Sequence, residues 1–168
     1  MTVTYNTKGH VMEIRQADIS EVDVLAKLWY DGWQDAHTQI LPAELARLRT
    51  LHSFGDRLLA SLADVRVAGP QGMPVGLCIV KGDELNQLYV SAGARGTGVA
   101  ARLLADGEAR IRANGVKQAW LACAIGNERA ARFYEKNGWQ RVGNEVIQLE
   151  TPRGLFALEV WRYEKNVE

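Results

Sequence analysis

The segment LYVSAGARGTGVAARLLADGEARI, residues 88–111, decides the fold. A short apolar run ends at Val90, glycine and arginine interrupt it, and a long amphipathic pattern follows. Gly96 and Gly98 stand where that pattern begins. Glycine lets backbone N–H groups come close to a ligand, and a helix start offers unpaired N–H groups with the positive end of the helix dipole. The pair therefore marks an anion site, with a phosphorylated ligand as the first expectation. Beyond it, Val99, Leu103, Leu104, Gly107 and Ile111 recur near helical spacing and predict a buried helix face that stops at Asn114-Gly115.

On either side of this segment, DELNQLYV and VKQAWLACAI read as strands. Together with the helix they form a strand, crossover helix and parallel strand spanning residues 84–125. The glycines then lie at the carboxyl end of a strand, where such sheets bind ligands. Further upstream, DVRVAG and MPVGLCIVKG are two strands around the turn GPQG, completing a meander. VMEIRQA, from Val11, alternates like a strand and precedes a helix with Val22, Leu25, Ala26, Leu28, Trp29 and Trp33 on its apolar face. Ser20 and Asp23 have capping-box spacing for that helix. PAELARLRTL and FGDRLLASLAD predict two shorter helices, the first with Pro42 at its first helical position. Downstream, NERAARFYEKNGW is a short helix ending at Asn137-Gly138, and two strands flank the turn TPRG. The expected fold is α/β, with a mixed central sheet flanked by helices. It is read as one domain over residues 1–168 with a core of about 11–164, because no linker divides the chain.

The charge narrows the partners. Lys plus Arg number 20 and Asp plus Glu number 20 among 168 residues, with no basic cluster, so no nucleic-acid partner is expected. The balance also gives no support to a polycationic acceptor, which an acidic surface would attract. Cys78 and Cys123 lie in apolar runs without CxxC or His-rich spacing, so neither a disulfide framework nor a metal site is expected. MTVTYNTKGHVMEI lacks an apolar signal core and no segment approaches membrane-spanning length. The expectation is a soluble, cytoplasmic protein with no membrane partner.

Three phosphate-binding patterns compete for the glycines. A P-loop requires Lys followed by Ser or Thr after its last glycine, but Val99 and Ala100 stand there. A dinucleotide fingerprint fits Gly96, Gly98 and Ala101, yet the acid required about 20 residues on falls at Lys117-Gln118. The third pattern uses more of the chain. RGTGVA (residues 95–100), placed after NQLYV, resembles the R/Q-x-x-G-x-G/A loop of the GCN5-related N-acetyltransferases. NERAARFYEKNGW resembles that family's later segment, with Asn127 at a strand end, Ala130 in the helix, Phe133-Tyr134 together and Gly138-Trp139 at the exit. The resemblance is residue-specific between about Leu85 and Trp139 and covers nearly the whole chain in architecture.

That resemblance implies acetyl-CoA as co-substrate, no metal, and an amine acceptor. The backbone N–H groups of Arg95, Gly96, Thr97, Gly98, Val99 and Ala100 would hold its pyrophosphate, with a charged contact from Arg95. The backbone of Leu88, Tyr89 and Val90 would pair with the pantetheine arm as an added strand and set an amide near the thioester carbonyl. Asn127 and Ala130 would meet the cofactor from the neighbouring strand end, where Asn127 also suits a helix N-cap. Tyr134, matching the family's tyrosine, would protonate the thiolate as the tetrahedral intermediate collapses. From phenol near ~10 to thiol near ~8.5, that transfer is uphill by roughly 2 kcal/mol in water, so it requires positioning or a perturbed site.

An acceptor amine must be neutral to attack. At neutral pH a lysine-like amine of pKa ~10.4 needs over ~4 kcal/mol to deprotonate and an α-amine near ~8 only about 1. Glu84 is the candidate base, directly or through water, because strand alternation sets positions 84, 86, 88 and 90 on one face. Trp29, Trp33, Asp35 and His37, in WYDGWQDAHTQILP, lie where the family builds its acceptor wall. The two tryptophans, four apart, also suit core packing, and His37 enters through its near-neutral pKa. Cys123 reads as buried packing. The expected activity is acetyl transfer to a primary amine, of a small molecule or a protein N-terminus, by direct attack in a ternary complex. The rival is a catalytically silent CoA-binding regulatory or interaction module, which needs no proton donor at Tyr134. The apolar final hairpin offers an edge for a homodimer.

Overall fold

Chain order sets strands β1 (Ile14–Gln16), β2 (Val65–Ala68), β3 (Gly76–Lys81), β4 (Glu84–Val90), β5 (Gln118–Ala124), β6 (Gln140–Thr151) and β7 (Gly154–Asn166) among helices α1 (Val22–His37), α2 (Ala43–Leu48), α3 (Leu51–Ser61), α4 (Val99–Ala113) and α5 (Glu128–Lys136). The computed structural model describes residues 12–168, so Val11 of the predicted first strand lies outside the described residues. One seven-stranded mixed sheet has the order β1-β2-β3-β4-β5-β7-β6. Only β4 and β5 run parallel, joined through α4 as the crossover pattern predicts.

Each helix buries the face its apolar spacing dictates. Val99, Leu103, Leu104, Gly107 and Ile111 are the buried residues of α4. They pack with Cys78, Val80 and Leu85 on one side of the sheet, and Ala131, Phe133 and Tyr134 of α5 extend that core over β5 and β7. On the other side Leu25, Trp29 and Trp33 of α1 meet Phe54 and Leu58 of α3 over Val65, Leu77 and Ile79. Leu149, Phe156 and Leu158 of the β6–β7 hairpin reach this second core.

The start of α1 differs from its predicted capping box. Asp18 and Glu21, not Ser20 and Asp23, form the reciprocal pair around a 3-10 turn at Ile19–Glu21. The buried Glu21 carboxylate decides this, because it takes a two-pronged contact from Arg15 (2.8 and 2.7 Å) and the N–H groups of Asp18 and Gly72, both at 3.0 Å. The Arg15 hydrogen bonds hold its carboxyl down at about 2. Pro42 stands at the cap of α2 rather than inside it. α3 begins earlier than predicted because Thr50 Oγ1 accepts the Ser53 N–H at 3.1 Å.

Two irregularities shape the centre of the sheet. The β4–β5 register contains one pair, Glu84 with Trp120, supported by the Trp120 N–H donating to the Asp83 carbonyl at 3.0 Å. Beyond it the strands part, while β3 stays paired with β4 up to Gly76–Val90 and β7 stays paired with β5 throughout. Within β4, the register with β3 passes from Leu85–Val80 to Gln87–Ile79, leaving Asn86 as the extra residue of a bulge. A bulge breaks the two-residue alternation. Leu85, Leu88 and Val90 therefore face α4, whereas Tyr89 faces α1. Glu84, opposite Lys81, lies with Tyr89 on the α1 side and not with Leu88 and Val90, which corrects the expected shared face.

Candidate active site

The parted strands form a groove whose upper end is the glycine loop. Gly96 (φ +76°) and Gly98 (φ +86°) hold left-handed conformations that side chains with a Cβ rarely adopt. Gly98 is also the N-cap of α4 and offers no side-chain cap, so the first N–H groups of the helix stay open. Thr97 Oγ1 donates to the Ala94 carbonyl and tightens the loop. Val99 is buried and Ala100 half-buried in the first turn of α4. Bare backbone, an uncapped helix end and an exposed Arg95 together suit an anion.

Arg95 is not free in this structure. Asp35 of α1 receives Arg95 Nη2 at 2.9 Å and Arg129 Nη2 of α5 at 3.0 Å. Hydrogen bonds from Arg129 and then Arg95 hold the Asp35 carboxyl below its usual range. Asp35 thus ties the loop to the start of α5 across the groove, a placement its position at the exit of α1 did not reveal. The Asn127 side chain accepts the Ala130 N–H at 3.3 Å and caps α5.

Tyr134 stands over the groove on the α4/α5 side. Its ring packs edge-on or tilted against Phe133 (5.4 Å), Trp139 (6.2 Å) and Tyr163 (6.2 Å). Burial, with added effects of Cys123 and Tyr89, raises its phenol well above the ordinary value, so it holds its proton at neutral pH. Its hydroxyl makes no hydrogen bond to any described residue, unlike that of Tyr163, which donates to Glu135 at 2.9 Å. Cys123 and Cys78 are free, buried thiols. Burial pushes both up to about 12, too high for a nucleophile at neutral pH.

Glu84 sits where β4 and β5 begin to part, half-buried, with Asn86 Nδ2 donating to its Oε1 at 3.0 Å. Burial raises its carboxyl against the lowering effect of that hydrogen bond and of Lys81. At about 3.3 Å per residue, Glu84 is some ~13 Å along the strand from Leu88.

Trp29 and Trp33 are core residues of α1, 2% and 6% exposed, packed on Phe54 at ring distances of 5.0 and 6.3 Å. His37 is 8% exposed, tilted against Trp33, with its Nδ1 3.0 Å from the Trp33 carbonyl, a geometry in which Nδ1–H donates. Burial lowers it to about 4, so the near-neutral pKa that suggested it from sequence does not survive folding. Gly32 was not singled out by its residue type. A Cβ there would stand 2.6 Å from Tyr89 Cδ1, so α1 lies directly on the Tyr89 ring. Its signal was available, since glycine inside a helix costs about 0.5–1 kcal/mol relative to alanine and implies close packing. Among the described residues, no group of His, Cys, Asp and Glu is arranged to hold a metal ion, and no helix is long and apolar enough to cross a membrane.

Comparison with known proteins matches residues 25–139 to the Acetyltransferase (GNAT) family model. An uncharacterized N-acetyltransferase of Mycobacterium tuberculosis is 31% identical over 119 residues, covering 66% of this chain and 76% of that protein. Among solved structures, a GCN5-related N-acetyltransferase from Rhodopseudomonas palustris superposes with a TM-score of 0.73 at 20% identity, covering 99% of this chain and 98% of its own. The PaiA N-acetyltransferase of Thermoplasma acidophilum, solved with coenzyme A, gives 0.65 at 19% identity over 92% of this chain and 98% of its own.

Proposed function

The chain belongs to the Acetyltransferase (GNAT) family, and on that premise we propose that it moves the acetyl group of acetyl-CoA to a primary amine by direct attack in a ternary complex. The carrying observation is the groove itself. The β5-facing edge of β4 loses its partner after Glu84, the glycine loop follows the end of β4, and the Tyr134 hydroxyl of α5 has no hydrogen-bond partner among the described residues. Coenzyme A in the PaiA structure supports the same ligand class here.

In this reading the amides of residues 95–100 hold the pyrophosphate, and Arg95 leaves Asp35 to add charge. The backbone of Leu88, Tyr89 and Val90 completes a strand with the pantetheine arm and presents an N–H to the thioester oxygen. Asn127 and Ala130 flank that arm from the start of α5. The thioester supplies an activated acyl carbon: a C–N bond forms, the C–S bond breaks, the nitrogen loses one proton and the sulfur gains one. Glu84 draws off the nitrogen's proton, and its ~13 Å separation from Leu88 favours a relay through water. Tyr134 supplies the sulfur's proton. Trp29 and Trp33, buried in the core of α1, back the acceptor side rather than line it, with Asp35 and His37 further along the helix.

The test is a screen of amino acids, aminoglycosides, polyamines and short peptides for amine-dependent release of CoA. Acetylation of at least one amine is expected. Tight binding of acetyl-CoA with no transfer to any amine would instead make the protein a silent CoA-binding module.

Gly98→Val tests the loop separately. Valine at φ +86° carries about 1–2 kcal/mol of backbone strain, and its branched side chain crowds the open amides. Calorimetry should show acetyl-CoA binding weakened about tenfold or more in a protein that still folds. Unchanged affinity in a folded variant would reject the loop as the pyrophosphate site.

A further inference from the structure

Two guanidinium groups lie within the α1/α3 layer without a carboxylate in contact. Arg57 of α3 sits with its Cζ 4.3 Å above the Trp29 ring and 5.4 Å from the Phe54 ring. Its Nη1 is buried with no hydrogen-bond partner among the described residues, as is Trp29 Nε1. Arg49, just after α2, is 3% exposed, and its Nη1 donates to the Glu150 carbonyl at 2.9 Å. Neither arginine forms a salt bridge among the described residues. Burial lowers both, Arg57 to about 10, and each also senses the Tyr89 hydroxyl. The acid that acts on Arg57 is Glu150, whose side chain is exposed and does not contact it.

Arg49 is a buried cation and Arg57 a half-buried one stacked on aromatic rings, and a guanidinium fork matches a carboxylate two-pronged. Two such forks beside donors that lack acceptors describe a place for an anion. A cleft of about 360 Å³ opens between α2 and the β6–β7 turn, lined by Leu48 and Thr151, the chain neighbours of Arg49 and Glu150, with Arg47 and Arg153 adding positive charge and Glu44 the one acid. At its inner side, Phe156 joins the core that holds Trp29 and Tyr89. Tyr89 of β4 packs against that same core, the layer whose Trp29 and Phe54 rings Arg57 stacks on.

We propose that Arg49 and Arg57 bind a carboxylate of the acceptor, so that the amine acetylated here belongs to an amino acid. This rests on the acetyl-transfer reading and names its substrate class.

The test is equilibrium binding of the twenty protein amino acids and their α-carboxamides to the protein saturated with coenzyme A, which cannot turn over. At least one amino acid should bind, with its carboxamide about 10- to 100-fold weaker, the range for hydrogen bonds to a charged group. Arg57→Gln should abolish that discrimination, with coenzyme A binding retained as evidence of folding. If that variant does not fold, Arg49→Gln serves, and the acid-to-amide comparison in the unmodified protein needs no variant. Absence of amino-acid binding, equal binding of acid and amide, or discrimination that survives in folded variants overturns the proposal. Binding of Asp- or Glu-containing peptide amides in place of free amino acids would move the carboxylate to a peptide and overturn the amino-acid assignment. Carboxylate-dependent binding without acetylation would sink the transfer reading alone, whereas acetylation without carboxylate preference would sink only this one.

Discussion

Tyr134→Phe should slow single-turnover acetyl transfer about 10²-fold or more, the lower end of what a positioned general acid contributes, and leave acetyl-CoA affinity unchanged. The ring makes the packing contacts with Phe133, Trp139 and Tyr163, and phenylalanine keeps it. The hydroxyl has no partner among the described residues, so its removal strands no buried group. The raised phenol does not argue against proton donation, because burial penalises every anion in the same slot. Single-turnover rates are the proper measurement, since slow product release can mask the chemical step in the steady state. Retained affinity with a lost rate identifies Tyr134 as the proton donor. If both hold, Tyr134 is a core aromatic and water protonates the thiolate.

Glu84→Gln should lower turnover by a comparable factor at neutral pH, with a loss that shrinks as pH rises. Below the amine's pKa the acceptor is charged and needs a base; above it, free amine predominates and the base adds little. Burial raises the Glu84 carboxyl, so it becomes a base only above a somewhat higher pH than an ordinary carboxylate. The unmodified enzyme should therefore gain rate as pH climbs through that raised pKa, a limb the glutamine variant lacks. The hydrogen bond from Asn86 Nδ2 can be kept by the glutamine carbonyl, so the bulge should persist. A pH-rate profile of both proteins decides the matter. An effect independent of pH, or none, removes Glu84 from the mechanism.

The element order, the buried face of α4 and the anion-suited loop were all legible in residues 88–111 and their flanks, because they follow from local causes. Helical spacing fixes which side chains share a face, and glycine alone occupies the left-handed φ of positions 96 and 98 without strain. The two blocks around Gly98 and Tyr134 likewise carried the family, to which residues 25–139 belong. What only the tertiary structure decided are relations between residues distant in sequence. Asn86 adds one residue to β4 and turns Glu84 to the α1 side, a change invisible to alternation because it depends on the register with β3. Asp35 holds Arg95 and Arg129, 60 and 94 residues away, and so bridges the groove instead of simply ending a helix. His37 loses its near-neutral titration, and Arg49 becomes a buried and Arg57 a half-buried cation without a contacting carboxylate among the described residues, for one reason: desolvation is set by what the folded chain places around a group, not by its neighbours in sequence.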